Sequence, residues 1–234
     1  MKPFKISGFQ KLTLLDFPGH VACTVFTSGC NFRCPFCHNA SLVTHMGGNS
    51  EYRVEDILNT LKKRTGILEG VCITGGEPTL MPGLEEFMRQ VKDLGFLVKL
   101  DTNGTNPEMI KRLIASGAVD YIAMDIKNSK ENYSITAGTA EDFDMSSIEE
   151  SVRILMSGQV DFEFRTTVAD PLHQTEDFVK IGEWLRGDEK YFLQKFVNSG
   201  DIIGRGIEAY SDEKMREFLS VVKVFLPNAQ LRGV

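Results

Sequence analysis

No stretch of about 18 consecutive apolar residues occurs anywhere in the chain, and its start, Met1-Lys2-Pro3-Phe4-Lys5, lacks the apolar core of a signal peptide. Both absences predict a cytoplasmic protein with no membrane partner. Basic runs are missing too. Lys and Arg total 26 against 32 Asp and Glu, a formal charge of −6, and no segment would track a phosphate backbone, which argues against nucleic acid as a partner. No fixed-period repeat, low-complexity tract or Pro/Gly/Ser linker divides the 234 residues. Since 42% of them are hydrophobic and 25% charged, enough for an ordinary core, the reading is one domain over 1–234. Cysteine is scarce and unevenly spread. Of five, Cys30, Cys34 and Cys37 lie close together, while Cys23 and Cys72 sit apart in apolar runs. An odd count in a reducing compartment points to metal rather than to a disulfide framework.

What the chain does have is alternation. Six β-type runs, at 21–27, 71–74, 97–102, 121–126, 162–168 and 191–196, are separated by helical patterns at 54–68, 84–94, 108–116, 148–156 and 176–185, and a further helix follows at 212–225. Asn106-Pro107 opens one helix and Gly117 closes it; Gly95 closes the one before. The stretches 44–50 and 129–145 read as loops. Alternation of this kind predicts an α/β fold with parallel strands, either an open doubly wound sheet or an incomplete β/α barrel. In both, ligands gather at the carboxyl ends of the strands. Those ends are polar in turn: the cysteine cluster, Gly75-Gly76-Glu77-Pro78, Asp101-Thr102-Asn103, Asp125 with Lys127, Arg165, and Gln194-Lys195.

Cys30-Asn31-Phe32-Arg33-Cys34-Pro35-Phe36-Cys37 spaces its thiols by four and three positions. Three thiolates on a four-iron cubane leave one iron open for a substrate. Two alternatives stand beside this: a structural zinc completed by His38, although the second, well-separated ligand pair usual for such sites is missing, or three buried cysteines without metal. Cys-x3-Cys-x2-Cys with an aromatic before the last cysteine resembles the radical S-adenosylmethionine superfamily, and Gly75-Gly76-Glu77-Pro78 matches that superfamily's second motif. The resemblance implies a partial (β/α)6 barrel. It also implies a 4Fe–4S cluster on Cys30, Cys34 and Cys37 that cleaves S-adenosylmethionine to methionine and a 5′-deoxyadenosyl radical.

Within the superfamily, Leu100-Asp101-Thr102-Asn103-Gly104 and Met124-Asp125-Ile126-Lys127 resemble the activating enzymes of glycyl-radical enzymes. That likeness implies that Gly75, Gly76 and Glu77 receive the cofactor's ammonium group, that Phe36 packs on its adenine, and that Asn39 and Arg165 lie beside it. Asp101 and Asp125, with carbonyls near Thr102, would hold a monovalent cation, and Lys127 would meet the cofactor's carboxylate. The subgroup's histidine on the sixth strand is replaced here, leaving Gln194 as the candidate contact. Asp16, in Leu14-Leu15-Asp16-Phe17-Pro18-Gly19, would receive a partner's glycine loop. The partners implied are a glycyl-radical enzyme, most closely the anaerobic ribonucleotide reductase, as protein substrate, and a flavodoxin or ferredoxin-like reductant; the alternatives are activation of another glycyl-radical enzyme, such as pyruvate formate-lyase, or a small-molecule reaction such as that of a carboxy-deazaguanine synthase.

Overall fold

Strands form where β-branched and apolar residues cluster, and helices where apolar residues recur at three and four. The structure is a computed structural model that describes residues 4–44, 52–188, 190–198 and 200–234. In chain order its strands are β1 (Ile6–Thr13), β2 (Ala22–Thr27), β3 (Gly70–Gly75), β4 (Leu97–Thr102), β5 (Tyr121–Asp125), β6 (Asp161–Val168), β7 (Tyr191–Lys195) and β8 (Gln230–Arg232). The helices are α1 (Ala40–Thr44), α2 (Val54–Lys62), α3 (Leu84–Asp93), α4 (Pro107–Ala115), α5 (Tyr133–Ala137), α6 (Ser146–Met156), α7 (Thr175–Trp184) and α8 (Asp212–Lys223). Strand order follows chain order from β1 to β8.

The described residues form two compact units, each of three chain segments. The first comprises Met1–Asn31, Ser41–Ala123 and Ser147–Asp161. There β1 runs antiparallel to β2, while β2, β3 and β4 are parallel, with Thr24 beside Cys72 and Cys72 beside Lys99. Its core contains Val25, Ile73, Val98 and Leu100, all fully buried. Asn106 caps α4 by accepting from the Met109 N–H at 3.2 Å, with Pro107 in the first turn.

The second unit comprises Phe32–Ala40, Met124–Ser146 and Phe162–Val234. Here β6, β7 and β8 are parallel, and α7 and α8 pack through Phe178 and Phe218, whose rings stand 4.5 Å apart. Arg232 of β8 grips the buried Glu163 of β6 through two bonds of 2.7 and 2.8 Å.

Several sequence expectations need correction. The helix expected over 54–68 stops at Lys62, because the chain turns through Gly66 at φ +79° and Thr65 bridges Leu68. The expected loop 129–145 contains α5, whose Tyr133 is fully buried. Strand β1, with three successive exposed residues, lacks the period of two that marks a strand, and β8 is only three residues long. Of the loop 44–50, residues 45–50 lie outside the described residues.

Candidate functional site

The first unit carries Asp16, Cys30, Gly75, Gly76, Glu77, Asp101 and Thr102. Strand β3 ends in Gly75, at φ +116°, where a Cβ would stand 2.3 Å from the Thr27 carbonyl oxygen. At Gly76 a Cβ would lie 1.9 Å from the Gly29 oxygen. Glycine is required because backbone meets backbone here, and the two strand ends are tied by Gly76 N–H to Thr27 O at 2.9 Å and Glu77 N–H to Gly29 O at 2.8 Å. The pair of glycines therefore sets the loop in front of Cys30.

The Glu77 side chain is engaged within its own unit. It is fully buried. Oε1 accepts from Thr79 N–H at 3.0 Å, Thr79 Oγ1 at 2.5 Å and Thr102 Oγ1 at 2.8 Å, and Oε2 accepts from Asn103 N–H at 2.6 Å. Burial pushes its pKa up, while these donors hold the charged form. A carboxylate so engaged joins the ends of β3 and β4. Thr102, 3% exposed, belongs to the same buried network.

Asp101 is paired with Lys99, a lysine only 1% exposed that also reaches Cys72 Sγ at 3.8 Å. Asp16 accepts from Thr24 Oγ1 at 2.5 Å. Its turn is held by Thr13 Oγ1, which accepts from the Leu15 and Asp16 N–H groups, each at 3.2 Å. Leu14 and Leu15 beside it are exposed.

The second unit carries Cys34, Phe36, Cys37, Asn39, Asp125, Lys127, Arg165 and Gln194. The turn between Cys34 and Cys37 is closed by Cys37 N–H to Cys34 O at 3.0 Å, and Cys34 Sγ lies 3.6 Å from the Ala137 carbonyl. Burial raises the Cys37 thiol pKa, an effect partly offset by the Asn39 N–H and the charge of Lys127. Phe36 is 4% exposed, tilted against His173 at 6.4 Å, with Lys127 Nζ 5.8 Å from its ring centroid. It packs inside the protein against these neighbours.

Asp125 ends β5 and bridges two cations. Oδ2 accepts from Lys127 Nζ at 2.9 Å and Oδ1 from Arg165 Nε at 3.0 Å. Burial alone would raise the Asp125 pKa, but the charges of Lys127 and Arg165 hold it down at about 2. Lys127 is shifted upward past the ordinary lysine range, because Asp125 outweighs its burial. Thus Asp101 and Asp125, expected to share a cation, are each paired with protein cations of their own unit. Gln194 sits half-buried in β7, in register with Thr167 and Arg232.

His173 was not anticipated. Its Nε2 lies 2.9 Å from the Lys127 carbonyl, which requires a proton on that nitrogen, so Nδ1 accepts from the Ala169 N–H at 3.2 Å. Burial lowers its pKa and keeps it neutral. It fixes the backbone of Lys127 and backs Phe36. Only the spatial approach of the β6–α7 connection reveals this.

Among the described residues, no three His, Cys, Asp or Glu side chains converge on one point as single-ion ligands do. His38 is exposed and stacks on Phe196 at 5.3 Å. A cluster makes no such demand, since each thiolate takes its own iron. The donor set fits: none of the three thiols is in a disulfide, and Cys30 has an amide donor at its sulfur, Asn103 Nδ2 at 3.8 Å.

The chain belongs to the Radical SAM superfamily, whose family model matches residues 24–167. Membership makes it an enzyme and implies a 4Fe–4S cluster and S-adenosylmethionine as cofactors. A Methanocaldococcus jannaschii protein, named provisionally as a glycyl-radical enzyme activating enzyme, is 30% identical over 98% of this chain and 96% of its own length. The 7-carboxy-7-deazaguanine synthase of Neisseria meningitidis is 35% identical over 56% of this chain and 52% of its own. Among solved structures, Streptococcus suis SuiB bound to S-adenosylmethionine superposes with a TM-score of 0.69 at 13% identity, over 88% of this chain and 49% of SuiB. That likeness is one of fold: α/β, with a mainly parallel eight-stranded sheet. No helix among the described residues is long and apolar enough to cross a membrane.

Proposed function

We propose that the chain as a whole, 1–234, activates a glycyl-radical enzyme, the anaerobic ribonucleotide reductase, by generating the radical on a glycine of that partner. The observation that carries this reading is the near full-length likeness to the Methanocaldococcus protein, 98% of this chain on 96% of that one. Half-length likenesses cover far less of either chain.

Cys30, Cys34 and Cys37 would hold the cluster. Loaded with S-adenosylmethionine, the cluster supplies the one-electron cleavage that yields a 5′-deoxyadenosyl radical. The chain's own residues do the rest. Lys127 and Arg165 carry two positive charges against the single charge of Asp125, so the cluster of three retains a net attraction for a carboxylate such as that of the cofactor's methionine end. Gly75 and Gly76 set the cysteine loop, and Asp16, with the exposed Leu14 and Leu15, offers a surface to a protein substrate. A flavodoxin or ferredoxin-like donor would supply the electron.

Mixing the reduced enzyme with purified reductase should produce the glycyl doublet in electron paramagnetic resonance. A silent reductase, with another glycyl-radical enzyme lighting up, overturns the choice of partner. A second reading is favoured by the 35% identity to the Neisseria synthase over 133 residues: turnover of a small pterin-like molecule, with every protein partner silent, would establish it instead.

A further inference from the structure

Asn103 follows β4 and is 5% exposed. Its carboxamide has a fixed orientation. Oδ1 accepts from Thr105 N–H at 3.0 Å and Thr105 Oγ1 at 2.7 Å, so Nδ2 must point the other way. Of its two protons, one meets Asn31 Oδ1 at 2.9 Å and the other is directed at Cys30 Sγ, 3.8 Å away. Its backbone is anchored as well, through Asn103 N–H on Glu77 Oε2 at 2.6 Å. The buried carboxylate of Glu77 thus holds the turn that aims an amide donor at the first cysteine of the loop.

A turn-forming asparagine accounts for the bonds that Oδ1 makes to Thr105. It does not require a donor pointed at a sulfur. We propose that Asn103 is a positioning residue for Cys30: its amide donates to the thiolate and draws electron density from it, with Glu77 as the anchor. Hydrogen bonds to cluster sulfurs are one of the levers that set reduction potential, and a donor favours the reduced, more negative state. This gives the glutamate of Gly75-Gly76-Glu77-Pro78 a task inside the protein rather than on the ligand. The inference rests on the reading that Cys30, Cys34 and Cys37 hold a cluster.

The test compares wild type with Asn103→Asp, which keeps the oxygen bonded by Thr105 but replaces the donor by a charged acceptor, and with Asn103→Leu, which removes the donor without adding charge. After anaerobic reconstitution, iron and sulfide per chain are measured first; a wild type that takes up no cluster defeats the underlying reading. The midpoint potential is then found by redox titration followed by electron paramagnetic resonance, together with the Fe–S(Cys) stretches in resonance Raman. Loss of one charge-assisted hydrogen bond should shift the reduced-to-oxidised ratio about tenfold toward oxidised, which for one electron is about 59 mV lower. Asn103→Asp should shift further than Asn103→Leu, because it adds a negative charge. Glu77→Gln should move the potential in the same direction by less. A purely structural role predicts lower iron content with the potential and stretches unmoved in the clusters that do form. Loaded variants with wild-type potential and spectrum overturn the proposal.

Discussion

Replacing Gly76 by alanine puts a methyl carbon 1.9 Å from the Gly29 carbonyl oxygen and 2.6 Å from its carbon. Neither neighbour is a side chain that can swing away. The two backbone segments must part by over about 1 Å to reach ordinary contact distance, breaking Gly76 N–H to Thr27 O and Glu77 N–H to Gly29 O. Two lost hydrogen bonds at about 1 kcal/mol each and an overpacking cost of about 1–3 kcal/mol sum to about 3–5 kcal/mol. Against a total stability of about 5–15 kcal/mol, that is a large fraction. For a chain of this length each kcal/mol lowers Tm by about 2–4 °C, giving a fall of about 6–20 °C. Thermal unfolding of the metal-free protein measures it, and iron per chain after reconstitution reports the displaced cysteine loop. Gly95→Ala is the control: its Cβ meets nothing within 4 Å, and its φ of +87° confines the cost to left-handed strain, about 1–2 kcal/mol. If Gly76→Ala melts no lower than Gly95→Ala, the close approach is not what glycine serves there.

Glu163→Ala leaves the Arg232 guanidinium without its two bonds. Because Glu163 is 1% exposed, the loss should be about 3 kcal/mol, seen as a lower urea midpoint at unchanged slope; an unmoved midpoint would show that β8 is held by other contacts. Asp125 gives a pH signature. Its folded pKa, about 2, lies below the ordinary aspartate value of 3.8, so its stabilisation is complete above 3.8 and is lost as pH falls through that value toward 2. With the side chain 29% exposed, the contribution is about 2 kcal/mol. The stability gap between wild type and Asp125→Asn should be widest above pH 4 and close toward pH 2; parallel curves would contradict the pairing.

Much of the fold was legible because its signals are local. The strand over Leu97–Thr102 was bounded correctly from its apolar run, and the cap and closing glycine of α4 stand side by side with its pattern. Strand β1 was not, since its burial does not alternate and its partner, β2, supplies the order. In the candidate site, the sequence put Asp125 and Lys127 at one strand end, where they pair. Which carboxylate faces which donor was not legible. Glu77 and Asn103 are 26 residues apart in sequence, and only the pairing of β3 with β4 joins them. Likewise the burial of Phe36 depends on His173, far along the chain.

We infer that the three cysteines support reductive cleavage of S-adenosylmethionine, and the most direct measurement is 5′-deoxyadenosine formed by the anaerobically reconstituted protein with dithionite and S-adenosylmethionine. Wild type should give 5′-deoxyadenosine and methionine in equal amounts, and Cys30→Ala, Cys34→Ala and Cys37→Ala should give neither. Wild-type protein that binds iron yet forms no 5′-deoxyadenosine, or a cysteine variant that still forms it, would refute the role of these cysteines.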